Sequence, residues 1–496
     1  MNLRAFCAAV ALGAILFGAS GCAVGPDYKR PAQSVPVTVT TLPDAPEISQ
    51  SSPDAYWWRG FGDPMLDQLV SDAVANNADL EAAAARIEQA RALRAVAAGG
   101  ARPNVSANSS VTRSQTSENA IDLSGLGGGG GGGGGAPIGG IGSPQTIYSV
   151  GTSASWEIDL FGRIGRRVEA AEARIGIAQE DRNGLLLTVI ADTVQNYAEL
   201  RIAQEQIAVV EANLATARET VRLTQLRLDK GLASQFDLSR AEADARTAQA
   251  QLAPLQRQVR SNNAAIAALT GRFPADLGDS LTASAEIAIP RDAFPAGMPS
   301  DVLRRRPDVR LAERRLAAET ADIGGEIADL YPSFSLSGLF GFSSIALDTL
   351  FAGGSENISV GAALDWPIFA GGRARAEVAE ARAGAEEARA LYRGAVLRAF
   401  EDADRALTAY VFAQRRLAVL EAVLQERERS FGFAKLRFEQ GLDSQLTLLD
   451  TQRQLIAARS EVARGKGDVL AATVGAYRAL GGGWNLGEAL DPGDQP

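Results

Sequence analysis

Residues 436–450 read LRFEQGLDSQLTLLD, and residues 226–240 read LRLDKGLASQFDLSR. Leucine, arginine, glycine, leucine, serine and glutamine fall in the same slots of both, and each stretch reads as a helix end, a glycine turn and a new helix start. The match runs far beyond the turn. Trp156 and Trp366, Arg163 and Arg373, Gly231 and Gly441, and Leu238 and Leu448 all stand 210 residues apart. Upstream the spacing changes: Asp79 and Asp308, like Pro103 and Pro332, stand 229 apart, so the first copy carries about 19 extra residues between Pro103 and Trp156. That surplus contains GLGGGGGGGGGAPIGG, a low-complexity run that reads as a flexible loop. One unit of about 200 residues is present twice in a single chain.

Each unit contains two kinds of element. Leu200, Ile207, Leu214, Val221 and Leu228 recur every seven residues, with Ala203, Val210, Ala217 and Thr224 three later, which is the seam of a coiled coil. Tyr410, Leu417, Leu424, Phe431 and Phe438 keep the frame in the second copy. Past the turn the seam continues through Leu238, Ala245, Leu252, Val259 and Ile266, matched by Leu448, Leu455, Val462, Val469 and Ala476. The helical pattern from Arg163 to Asp229 covers 67 residues. At 1.5 Å per residue that is a rod on the order of 100 Å, far longer than a globular domain requires.

The other element is the strand. Tyr148, Val150, Thr152, Ala154, Trp156 and Ile158 alternate with Ser149, Gly151, Ser153, Ser155 and Glu157, a period of two with one apolar face. PSFSLSGLFGF, NISVGAALDWPIF and the fainter PNVSANSSV repeat the pattern. Strands of about ten residues, apolar on one side and small or polar on the other, suit a bilayer-spanning barrel, and a soluble sheet packed on a core is the alternative. Four strands cannot close a barrel around any interior, and lipid tolerates no open edge, so several chains must contribute to one wall. Three copies would give twelve strands.

Composition sets the bounds. The chain has 496 residues, 46% of them hydrophobic, which length alone would divide into about three domains; the repeat replaces that count. Histidine is absent, which removes the usual general base and the commonest metal ligand, so catalysis is not expected. A net charge of −10 excludes a global attraction to nucleic acid and points to protein or membrane partners. At the amino terminus Arg4, an apolar stretch too short to span a bilayer, and ASGC form a secretory leader. The junction resembles a bacterial lipobox, in which lipid is attached to the sulfur of Cys22, although Ala19 stands where leucine is more usual. Cleavage beside a bystander cysteine is the alternative. Cys7 would leave with the leader, so no internal disulfide is expected.

Several stretches together resemble one family: GCAVGPDYKRP at 21–31, WWRGFGDPMLDQLV at 57–70, WEIDLFGR at 156–163, RRPDVRLAERRLAA at 305–318, YPSFSLSG at 331–338 and FAGGRARAEVAEAR at 369–382. The chain is similar to the TolC-type outer membrane factors, in the lipoprotein branch that serves RND-type efflux systems. The resemblance implies an α+β membrane protein: a homotrimer with a twelve-stranded outer-membrane barrel, four strands per chain, continued by a long periplasmic helical barrel. It implies a passive duct for small toxic compounds, with a periplasmic adaptor and an inner-membrane pump as partners and no cofactor beyond the lipid on Cys22. On this reading 1–21 is the leader, 22–63 a lipidated extended tether, 64–101 a helix, and 102–161 two strands with the glycine-rich loop. A helical hairpin fills 162–271, an equatorial linker 272–300, a helix 301–330, two strands 331–371, a second hairpin 372–480, and a closing equatorial segment 481–496.

The resemblance also gives the repeated turn a role at the periplasmic end of the tube. By position Gly231, Leu232 and Ser234, with Gly441, Leu442 and Ser444, face the adaptor, while Asp237, Phe438, Asp443, Thr447 and Asp450 fall at the aperture. Related channels carry tyrosine, arginine and aspartate where Phe438, Asp443 and Thr447 stand, so a tyrosine and arginine lock is not expected here. Ser234 followed by Asp237 also fits a helix cap, and Phe438 also fits the seam. The arginines of RRRPDVR are expected to pair with carboxylates. A protein-secretion duct and a non-conducting coiled-coil lipoprotein remain as further functional readings.

Overall fold

A computed structural model describes residues 23–32, 38, 40–42, 45–51, 54–115, 144–277, 281, 287–289, 293–300, 305–440 and 442–482. The leader, Cys22, the glycine run and Gly441 lie outside the described residues. In chain order the elements are β1 (Ile48–Ser49), a 3₁₀ turn (Trp57–Phe61), α1 (Pro64–Asn76), α2 (Ala78–Gly99), β2 (Asn104–Ser114) and β3 (Gln145–Ile158). Then come α3 (Arg163–Asp229), α4 (Gln235–Ala250), α5 (Leu252–Leu269), β4 (Phe294–Pro295) and α6 (Pro307–Ala328). The chain continues through β5 (Ser333–Ser344), β6 (Glu356–Asp365), α7 (Arg373–Glu439) and α8 (Gln445–Ala479).

The repeat is visible in the boundaries. α3 and α7 both run 67 residues and begin and end 210 apart, and α2 and α6 both run 22 residues and begin and end 229 apart. Two sequence expectations are corrected. The helix read over 64–101 is two helices, because Asn77 adopts an extended backbone at φ −71° and ψ 122°. Its side-chain oxygen then accepts from the amides of Asp79 at 3.1 Å and Leu80 at 3.2 Å, so one asparagine ends α1 and caps α2. The second leg of the first hairpin is also broken, at Gln251 between α4 and α5. Pro254 has no amide to offer the carbonyl of Ala250, whereas the repeat places Arg464 in that slot and α8 runs 35 residues unbroken.

The chain forms two compact units. The first contains the described part of Met1–Lys29 with Ala90–Arg174 and Leu316–Glu387. Its centre is an antiparallel sheet in the order β2-β3-β5-β6. The register puts one set of side chains on one face: Val105 opposite Ala154, Val111 opposite Tyr148, Trp156 opposite Leu336, Thr152 opposite Phe340, and Phe340 opposite Ile358. The other face pairs small hydroxyls, with Ser106 and Ser153 at 2.8 Å and Ser110 and Ser149 at 2.7 Å. Ile147, Leu339 and Ala363 are apolar residues on that face. Much of the apolar face is bare among the described residues, with Val360 86% and Ile358 66% exposed, while Phe351 packs on Phe342 at 5.3 Å. β2 and β6 each pair on one side only among the described residues. β6 ends at Asp365, one residue before the expected Trp366, because Pro367 cannot donate to a ladder.

The second unit contains Arg30–Gln89, Ile175–Arg315 and Ala388–Pro496, as far as these are described. Its largest core joins Trp57, Trp58 and Phe61 to Leu66, Ile190, Tyr197 and Ile266. Trp57 stacks on Tyr477 at 4.5 Å. Asp63 caps α1 through the Met65 amide at 2.9 Å and also accepts the Tyr197 hydroxyl, to which Arg201 donates at 2.9 Å. Burial, then the bond to Asp63, raises the Tyr197 phenol above its ordinary pKa, which keeps it neutral. The seam positions are inside: Leu200, Ala203, Val210, Leu214, Ala217 and Thr224 are buried, as are Tyr410 and Leu417. Among the described residues no helix is long and apolar enough to cross a membrane.

Candidate functional site

The sequence singles out two turns, and the structure builds both in the second unit by the same local rule. After α3, the Gly231 amide donates to Leu228 O and the Leu232 amide to Arg227 O, each at 2.8 Å. That pattern needs a left-handed residue at Gly231, whose φ is +70°. After α7, the Leu442 amide donates to Arg437 O at 2.9 Å, the same bond 210 residues later.

The helix starts then diverge. Ser234 caps α4 by accepting the Asp237 amide at 3.2 Å, and the Asp237 carboxylate accepts in return from the Ser234 amide at 2.9 Å and hydroxyl at 2.7 Å. Those hydrogen bonds, hydroxyl first, hold the carboxyl below its ordinary pKa, although the residue is only partly buried. Ser444 caps α8 through the Thr447 amide at 3.2 Å, with the two hydroxyls 3.1 Å apart. Thr447 brings no charge. Asp450 accepts from Gln454 one turn along at 2.7 Å.

Two arginines that sequence reasoning left unused organise the tips. Arg437 reaches across its own turn to Asp443, Nε to Oδ2 at 3.0 Å. Arg227 holds the equivalent slot, but Ala233 replaces the carboxylate, and the guanidinium lies 5.3 Å over the ring of Phe438 instead. That contact ties the end of α3 to the end of α7. The signal was present in the sequence, since both arginines occupy matching slots of the two quoted stretches. Leu232 and Leu442 are exposed at 67% and 65%, and Phe236 at 72%. Above the turns a cavity of about 390 Å³ lies among α3, α4 and α8, lined by Ala217, Ala241, Ala248, Gln452 and Ala457, with the Asp244–Arg453 ion pair at its wall. The buried amide nitrogen of Asn213, which also lines it, has no hydrogen-bond partner. No group of three or more histidine, cysteine, aspartate or glutamate residues among the described residues is arranged to hold a metal ion.

Of the arginines of RRRPDVR, Arg306 and Arg310 pair with carboxylates as expected, and Arg304 lies outside the described residues. Arg306 is 9% exposed and reaches Asp308 at 2.7 Å, Asp402 at 3.1 Å and the Ala479 carbonyl at 2.8 Å. Arg310 pairs with the buried Glu180 at 2.6 Å.

The family model described as outer membrane efflux protein matches residues 69–272 and 298–482, once on each copy of the repeat. The chain is 32% identical over 436 residues to the pyoverdine export outer membrane protein OpmQ of Pseudomonas putida, covering 88% of this chain and 90% of that one. It is 30% identical over 477 residues to the toluene efflux pump outer membrane protein TtgI of the same species, covering 94% and 97%. Among solved structures, the outer-membrane channel OprN superposes with a TM-score of 0.83 at 33% identity, over 93% of this chain and all of that one. The CmeC outer membrane channel of Campylobacter jejuni gives 0.81 at 25% identity, over 93% and 95%. The chain belongs to the outer membrane efflux protein family, and it is a transport protein of the cell outer membrane, not an enzyme.

Proposed function

We propose that three copies of the chain assemble into a passive duct that carries small organic compounds from the periplasm to the exterior. The observation that carries this reading is the sheet: four strands in register, one apolar face largely bare, and two edges open among the described residues. An apolar face of that size is stable against lipid, and open edges are stable only when another copy pairs with them, so β2 of one protomer meets β6 of the next and twelve strands close. The two hairpins per chain then supply six staves of a periplasmic helical barrel. The duct has no energy source of its own and takes no cofactor. An inner-membrane pump of the RND type and a periplasmic adaptor drive and seal it, with Gly231, Leu232, Ser234, Gly441, Leu442 and Ser444 as the adaptor surface. The exposed leucines at 232 and 442 support that assignment.

Asp237, Phe438, Asp443, Thr447 and Asp450 form the aperture on this reading. In a trimer each carboxylate becomes one of three around a narrow opening, where like charges repel unless paired or bound to cations. Cys22 carries the lipid. The relatives named for pyoverdine, toluene and solvent export are consistent with small organic cargo.

The test is assembly and conductance together. Detergent-purified protein is expected to have the mass of a trimer and to pass ions in planar bilayers. A stable monomer that never conducts, with the tips intact or mutated, overturns the reading.

A further inference from the structure

The motif VGPDYKRP follows Cys22 and Ala23, and the export reading gives it no task beyond tethering. The first unit shows it seated. The Val24 amide donates to the Phe161 carbonyl at 3.1 Å. Arg166, whose side chain is 6% exposed, donates through Nε to the Val24 carbonyl at 3.1 Å and through Nη2 to Asp27 at 2.9 Å and the Gly25 carbonyl at 3.4 Å. Its remaining nitrogen reaches Glu169 at 2.7 Å. Gly25 stands at φ +97°, and a Cβ there would sit 2.5 Å from the Cα of Gly324. A Cβ on Gly324 would in turn meet the Arg166 side chain at 2.7 Å, so the backbone, the helix and the arginine stem are packed with no room for even a methyl group.

We infer that Phe161, Arg166 and Gly324 form a docking socket for the chain's own acylated amino terminus, which delivers the lipid of Cys22 to the membrane surface at the junction of β3 and α3. The inference rests on the reading of Cys22 as acylated and of the sheet as bilayer-facing. β3 ends at Ile158 and α3 begins at Arg163, and Ala23 packs against Gly162 between them. Ala23, the residue next to Cys22 in sequence, is therefore held where the apolar-faced strand stops. No lipid anchor approaches the retention of a spanning structure, so beside the barrel the lipid of Cys22 adds little retention. A lipid held at a fixed level does something a loose leash does not: it sets the depth and orientation of the strands against the inner surface of the bilayer. Arg166 is the positioning residue, since its forked donors fix two backbone carbonyls and a carboxylate at once.

Hydrogen exchange read by mass spectrometry tests this on the full-length protein in detergent. Three forms are compared: the native protein, Arg166→Met, and an unacylated Cys22→Ser form exported behind a conventional leader. The Val24 amide is expected to exchange slowly in the native and unacylated forms. In Arg166→Met, still acylated, it should exchange about tenfold faster, the scale set by losing charged hydrogen bonds to a local opening. Amides of β3 should stay slow in all three, which shows that the variant is folded. Should Arg166→Met not fold, Asp27→Asn, whose carboxylate is exposed, is expected to raise Val24 exchange about threefold for the same reason. Val24 exchange as fast in the native protein as in these variants overturns the socket. Protection lost only in the unacylated form overturns it too, because the lipid would then be holding the segment. The mass of the amino-terminal peptide reports acylation separately, and an unmodified mass overturns the lipid reading with the exchange pattern still judging the socket.

Discussion

Trp156 and Trp366 make the same hydrogen bond from different copies of the repeat. The indole of Trp156 donates to the Ala101 carbonyl at 3.0 Å, and that of Trp366 donates to the Leu330 carbonyl at 3.2 Å. The donors are 210 residues apart and the acceptors 229, so the insertion between them leaves the contact unchanged. Each bond ties a strand or its end to the close of the preceding helix. Trp156→Phe and Trp366→Phe are each expected to lower stability by about 1 kcal/mol, the net worth of one neutral hydrogen bond, and to add when combined because the sites are separate. Denaturant titration measures it, and a strongly non-additive pair would show that the two copies are not independent here.

Much of this was legible in the sequence because it is periodic. The seam through Leu200 and Leu214 and the alternation through Val150 and Trp156 are repeats of seven and two, and the structure buries the first and lines up the second. What stayed hidden depends on single side chains. The break at Asn77 comes from a cap that two following amides happen to reach, and it leaves no trace in a hydrophobic pattern. Pro254 was visible, yet the seven-residue seam continues through it, and the pattern outweighed the missing donor. Arg227 over Phe438 joins residues 211 apart in sequence, which no local rule connects.

Asp237 serves a cap in this structure and an aperture in the proposed trimer, and charge separates the two. Asp237→Ala removes the charge and the carboxylate's half of the capping box, leaving Ser234 to cap the amide at 237, while Asp237→Asn keeps an acceptor for the Ser234 amide and removes only the charge. Exchange of the Ser234 amide is expected to rise about fivefold in the alanine variant, the scale of one lost hydrogen bond, and to change little in the asparagine variant. Conductance or its block by divalent cations is expected to change in both. The depressed carboxyl contributes above its ordinary value of 3.8 and loses that contribution as pH falls through its lower folded value, so only below pH 3.8 should native current approach that of Asp237→Asn. Identical current and block in all three proteins would leave Asp237 a cap alone.

The contact of Arg227 with Phe438 joins the ends of α3 and α7 by an attraction that needs an aromatic ring, and on the proposed aperture reading it helps to hold the tips closed. Phe438→Leu installs the residue that the repeat has at Leu228, keeps an apolar seam position and removes the ring. A double-mutant cycle with Arg227→Met should give a coupling of about 0.5–1 kcal/mol, the range for an exposed cation over a ring. Single-channel recording should find longer open times in Phe438→Leu, in Arg227→Met and in the pair, with the pair no more open than either alone. Additive opening would mean that the two side chains act separately.

Arg306 shows how the RRRPDV segment supports the second unit. Its Nη1 donates to the Ala479 carbonyl, one of the last in α8 and so without a partner inside its own helix. A cation there also answers the negative end of the helix dipole, and the other donors hold Asp308 and Asp402. Burial alone would lower the arginine pKa, but the two carboxylates outweigh it and keep the group charged. Arg306→Met leaves a buried carbonyl and Asp402 without that donor, and is expected to cost about 2 kcal/mol, discounted for the partial exposure of both carboxylates. Arg306→Lys keeps the charge but has no planar fork, so it should recover less than half of the loss. Thermal or denaturant unfolding of purified protein measures both, and full recovery by lysine would show that charge, not the fork, is what α8 requires.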